Sequence, residues 1–141
     1  MHTPSNTNKK STEQGLKKPQ RLRTPGEFKA VYDSKQWGGS HYFSFNVLAN
    51  TENVSRSRLG VTVSKKVSNS AVDRNRIKRQ IKEFYRKNKS DLIPADLVIT
   101  AKPSCLNASD ADRLESLQVL WQKILKWQRW HKRNQSKKLE Q

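Results

Sequence analysis

Two stretches of strict apolar–polar alternation constrain this chain more than any other feature. From His41 to Asn50, Phe43, Phe45 and Val47 fall on one side, with Tyr42, Ser44 and Asn46 on the other. From Arg58 to Ser64, Leu59, Val61 and Val63 share a side. Period-two alternation is the mark of a strand with one buried face. Polar residues 51–57 separate the two as a turn, so the pattern predicts an antiparallel hairpin. A third short apolar run, Asp96 to Ala101, lies between Pro94 and Pro103 and reads as another strand.

Three strands need cover, and the helix signals supply it. Thr24-Pro25-Gly26-Glu27 combines an N-cap threonine, proline at the first helical position and glutamate at the third. The short helix that follows puts Phe28, Val31 and Tyr32 on one face, and Gly38-Gly39 ends the region. Ser68-Asn69-Ser70 starts a second helix, with Asp73 completing a weaker capping box. That helix runs from about Ala71 to Lys89, with Ile77, Ile81, Phe84 and Tyr85 on its core face. Ser109 and Asp112 cap a long last helix whose expected stripe is Leu114, Leu117, Trp121, Ile124 and Leu125. The order helix, strand, strand, helix, strand, helix predicts one α+β domain over residues 21–131, a two-layer arrangement with helices packed on a small sheet. Residues 1–20 and 132–141 are basic and almost free of apolar side chains, and are expected to be disordered.

Charge narrows the function. The 141 residues hold 29 Lys and Arg against 12 acids, a net +17, which calls for a polyanionic partner. No apolar run approaches the ~20 residues of a spanning helix. Met1 to Asn6 lack the apolar core of a secretion signal, and the lone Cys105 excludes an internal disulfide. A reducing cytoplasm is the expected compartment, with no membrane partner.

The charge is concentrated as well. Arg56 to Lys89 carry 12 basic residues against two acids, Asp73 and Glu83. On helical geometry Asn75, Arg79, Lys82 and Arg86 form a stripe opposite the apolar face, with Arg74, Arg76 and Lys78 flanking it in the first turn. Lys65 and Lys66 extend the patch upstream. A solvated helix face usually mixes both signs, whereas this one repels itself. Its cations also crowd the helix N-terminus, where the macrodipole disfavours them unless an anion binds there. Those two departures favour nucleic-acid contact over a merely solvated face.

The aromatic side chains leave more open. Phe28 and Tyr32, one turn apart, suit either core packing or a platform for unpaired bases. Trp121 belongs to a core stripe, while Trp127 and Trp130 lie off its centre. His2, His41 and His131 are isolated, so no general acid–base pair stands out, and acids are too sparse for a two-metal carboxylate site.

The segments Arg58-Leu-Gly-Val-Thr-Val-Ser-Lys-Lys66, Arg74-Asn-Arg-Ile-Lys-Arg79 and Asp96-Leu-Val-Ile-Thr-Ala-Lys-Pro103 resemble the protein component of bacterial ribonuclease P. Arg21-Leu-Arg-Thr-Pro-Gly-Glu-Phe28 does too, and the likeness spans about residues 21–128. The resemblance implies a ribonucleoprotein endonuclease that removes the 5′ leader of precursor tRNA. An RNA subunit performs the cleavage with Mg²⁺, held mainly by the RNA and not tightly by the protein. The implied partners are that RNA and precursor tRNA, with no obligate protein partner.

By position, Arg74, Asn75, Arg76, Lys78, Arg79 and Lys82 would contact the RNA subunit, with Lys65, Lys66 and Arg86 extending that surface. Phe28 and Tyr32 would line the leader cleft, completed by Ser44 and Asn46, which are more polar than the residues often found there. The resemblance also implies a left-handed strand–helix–strand crossover, against the usual right-handed rule. Two other readings share the charge: a ribosomal-type structural RNA-binding protein, and a stand-alone nuclease with His41 as base.

Overall fold

The capping signals near residue 24 are the first to take shape. Thr24 Oγ1 accepts from the Glu27 amide at 3.2 Å, and Glu27 returns the contact by accepting from the Thr24 amide at 2.9 Å. Helix α1 follows over Pro25–Asp33. The computed structural model describes residues 21–49 and 57–140, side chains of 136–140 excepted. The expected N-terminal arm and most of the 51–57 turn lie outside the described residues.

After α1 come β1 (Trp37–Gly39), β2 (Phe43–Ala49), β3 (Arg58–Thr62), helix α2 (Ala71–Asn88), β4 (Ala95–Ala101) and helix α3 (Asp110–Glu140). The strands form one sheet in the order β1-β2-β4-β3. β2 runs antiparallel to β4, and β3 runs parallel to it.

This corrects the expected hairpin, because β2 and β3 do not pair. Both flank β4, whose consecutive Leu97, Val98 and Ile99 are all buried. A strand apolar on both faces belongs at the centre of a sheet, and strands with one polar face belong beside it. Gly38-Gly39 is also more than a terminator: it forms β1 against β2, where a Cβ on Gly38 would lie 2.7 Å from the Phe45 ring.

One sheet face is covered by α2 and α3. Phe43, Phe45 and Val47 of β2, Leu59 of β3 and Leu97 and Ile99 of β4 meet Ile77, Ile81, Phe84 and Tyr85 of α2. From α3 come Leu117, Leu120, Trp121 and Ile124. Tyr42 precedes the strand and packs against this same cluster instead of opposing it. Cys105 is buried here as well, and burial pushes its thiol up to about 11.

Helix α3 departs from expectation at both ends. Ser109 caps it as expected, its Oγ accepting from the Asp112 amide at 3.0 Å. Leu114, however, is 42% exposed. The inward position in that turn belongs to Arg113, whose guanidinium donates to the Ala108 carbonyl at 2.6 Å and to Gln80 Oε1 at 2.8 Å. The phase therefore centres on Leu117, Leu120 and Ile124. At the other end the helix continues to Glu140, through the stretch expected as a tail. Those residues are good helix formers with no Gly or Pro, and extending a packed helix avoids the cost of nucleation.

Candidate nucleic-acid interface

The opposite face of the sheet is built differently. The register aligns Ser44 with Thr100 and Thr62, and Asn46 with Val98 and Gly60. Among the described residues, α1 and the segment just before it cover this face, through a small cluster of Leu22, Val31 and Val98 joined by Phe28 and Leu48. The approach is close: a Cβ on Gly60 would lie 2.6 Å from Phe28 Cε2 and 3.1 Å from Leu22 Cδ1. Glycine at this position lets the Phe28 ring lie against the sheet. Tyr32, one turn on, is 41% exposed, with its hydroxyl 3.5 Å from Thr62 Oγ1. Ser44 and Asn46 are half-buried. Phe28, Tyr32, Ser44 and Asn46 thus belong to one side of the sheet, with α1 as one wall.

Two acids at this end of the sheet are engaged by one arginine. Arg58 binds Asp96 in bidentate fashion, at 2.8 and 2.7 Å, and reaches Glu27 Oε2 at 2.8 Å. Hydrogen bonds from the Arg23 and Thr24 amides hold the Glu27 carboxyl below its usual range, with Arg58 adding to them. The Asp96 contact in turn raises Arg58. This cluster ties β3, β4 and α1 together and neutralises two carboxylates beside the cationic surface.

The sequence-predicted cations occupy the outer side of α2 and the turn before it. Ser70 Oγ caps the helix by accepting from the Asp73 amide at 3.3 Å. Asp73 does not complete the expected box; its carboxylate accepts from Ser68 Oγ at 3.2 Å. Arg74 Nη1 donates to the Ser68 carbonyl at 2.8 Å and so braces the turn. Lys65, Lys66, Asn75, Arg76, Arg79 and Lys82 are exposed, and Lys78 is half-buried. Arg86 differs: it forms an ion pair with Glu83 within the helix, which removes much of its charge from the stripe.

Arg21 and Arg23 come from further off in the chain. Leu22 donates its amide to the Leu59 carbonyl at 2.9 Å, which lays this segment along β3. Arg21, Arg23, Lys78 and Lys82 then line a depression of about 370 Å³ with Phe28 and Gly60. Desolvation, with Arg21 and Lys78 nearby, lowers the Lys82 pKa. A cation held among cations is the arrangement an incoming phosphate relieves.

The model of the Ribonuclease P family matches residues 16–125. The chain belongs to that family. The ribonuclease P protein component of Ectopseudomonas mendocina is 36% identical over 110 residues, covering 78% of this chain and 81% of that protein. That of Idiomarina loihiensis is 38% identical over 108 residues, covering 75% and 84%. Among solved structures, the ribonuclease P protein of Staphylococcus aureus superposes with a TM-score of 0.69 at 27% identity, over 73% of this chain and 93% of that one. The Thermotoga maritima protein gives 0.64 at 26%, over 74% and 96%. The chain is therefore a protein component of an endoribonuclease that acts in tRNA 5′ processing.

Ribonuclease P membership raises the question of Mg²⁺. Among the described residues, no three of His, Cys, Asp and Glu gather to hold a metal ion. His41 stands edge-on to Tyr42, while His131 stacks on Trp127, so the two histidines serve different aromatic contacts. Among the described residues no helix is long and apolar enough to cross a membrane.

Proposed function

We propose that this ribonuclease P protein binds the catalytic RNA subunit through Lys65, Lys66 and the outer side of α2, and holds the precursor-tRNA leader against the sheet face under α1. On α2 the contacts are Arg74, Asn75, Arg76, Lys78, Arg79 and Lys82, with Arg86 contributing less because of Glu83. Phe28 and Tyr32 offer aromatic surface to leader bases, and Ser44 and Asn46 offer polar contacts. The Mg²⁺ of the reaction acts at the RNA, and the protein works in the cytoplasm.

The observation that carries this reading is the depression at Gly60, where Arg21, Arg23, Lys78 and Lys82 meet Phe28. It joins the cationic helix to the aromatic wall, so one RNA-facing surface runs across both. A ribosomal-type RNA-binding role shares the charge but gives no reason for the Phe28 ring set among those cations.

Reconstitution tests the proposal. Added to the RNA subunit, the protein should tighten binding of leader-bearing substrate over leaderless substrate and permit cleavage at lower Mg²⁺. Processing unchanged by the protein at low salt and low Mg²⁺ would sink it.

A further inference from the structure

A second aromatic and basic surface lies at the β1 edge of the sheet, outside the residues assigned above. Trp37, Trp127 and Trp130 line a groove of about 500 Å³ between β1 and α3. Trp37 is 72% exposed and Trp130 47% exposed, a large apolar area for a chain to leave in water. Trp127 is fixed from behind: its Nε1 donates to Gln36 Oε1 at 2.8 Å, and its ring stacks on His131 with centroids 5.2 Å apart. Lys35, Lys123, Lys126 and Arg133 surround the three indoles, and no described residue lining the groove is acidic. Lys123 donates to the Gly39 carbonyl and so braces β1 against α3.

We infer that this groove binds unpaired nucleotides of the substrate leader, beyond those held under α1. The inference rests on the leader reading above. Indole faces set among cations are the arrangement that holds single-stranded RNA, since bases stack and the cations track the phosphates. The groove lies on the α3 side of the sheet, lined also by Phe45, and meets the proposed cleft around the β1 edge. Trp37 is paired with Asn46 in the β1–β2 register and also lines the groove, so a leader that leaves Asn46 and crosses the β1 edge passes over Trp37. An acidic protein surface would satisfy the cations, but it gives no comparable use for exposed indole faces.

Holoenzyme reconstituted with Trp130→Ala, Trp37→Ala or Lys126→Glu tests the inference, all three side chains being exposed. Substrates with a long leader, a short leader confined to the α1 cleft, and no leader are compared by equilibrium binding. Each tryptophan variant should lose about fivefold or more in affinity for the long leader. Affinity for the short leader and assembly with the RNA subunit should not change. Parent-like affinity for the long leader would overturn the inference while leaving the cleft reading intact. Equal losses for all three substrates with weakened assembly would also overturn it, by placing the groove on the RNA subunit. A parent holoenzyme indifferent to leaders would overturn both readings.

Discussion

The same strands carry two unlike faces. Toward α2 and α3, Phe43, Phe45, Val47, Leu97 and Ile99 are all buried in the main apolar cluster. Toward α1, the matching positions are Ser44, Asn46, Thr100 and Thr62, half-buried, with Gly60 buried beneath Phe28. The first face holds most of the buried apolar core. The second has little apolar burial but presents polar backbone-proximal groups, an aromatic wall and a cationic rim. A pleated sheet separates stability from binding residue by residue, because neighbours along a strand point to opposite sides.

Substitutions on the two faces should therefore separate the two properties. Ile81→Ala on the dry side removes a fully buried side chain and should cost about 3 kcal/mol in denaturant unfolding. Folded Ile81→Ala should still bind RNA with parent affinity, and a loss of RNA affinity in the folded fraction would blur the division. Arg58→Ala acts at the seam. It leaves the buried Asp96 carboxylate without its bidentate partner and should destabilise by about 2 kcal/mol, discounted because Arg58 is partly exposed.

Glu27→Gln should act more weakly, by less than about 1 kcal/mol at neutral pH, since glutamine can still accept the cap hydrogen bonds. Its pH dependence carries the sign. The folded Glu27 carboxyl titrates below its ordinary value of 4.5, so its contribution is complete above that value. It is lost as pH falls through the lower folded value. The melting-temperature gap between parent and variant should close on acidification, and a gap that widens would refute the cap and Arg58 contacts as its source.

Much of the fold was legible in the sequence, because its signals are local. The Thr24 cap, the core face of α2 and the three longer strands each follow from spacing within a few residues. Strand pairing was not, since placing β2 and β3 on either side of β4 is a decision of the whole sheet. Nor was β1, because Trp37-Gly38-Gly39 has no alternation to read. The site divides in the same way. The α2 cations stand out as a stripe of one sign, whereas Arg21 and Arg23 reach it only through the Leu22–Leu59 pairing. Trp37 joins its surface only through its register with Asn46. The loss of Arg86 to Glu83 was a three-residue pairing, open to view but outweighed by the charge around it.

Lys82 offers the smallest change in stability and the most direct reading of the interface. It is lowered by desolvation and by its cationic neighbours, so Lys82→Ala should not reduce the melting temperature of the free protein. The deciding measurement is the salt dependence of binding to the ribonuclease P RNA, with Arg79→Ala and Lys82→Ala beside the parent. Each variant should bind more weakly, and the slope of log K against log salt should shrink by about one per lost phosphate contact. Slopes equal to the parent's would contradict the assignment of the outer side of α2 as the RNA surface.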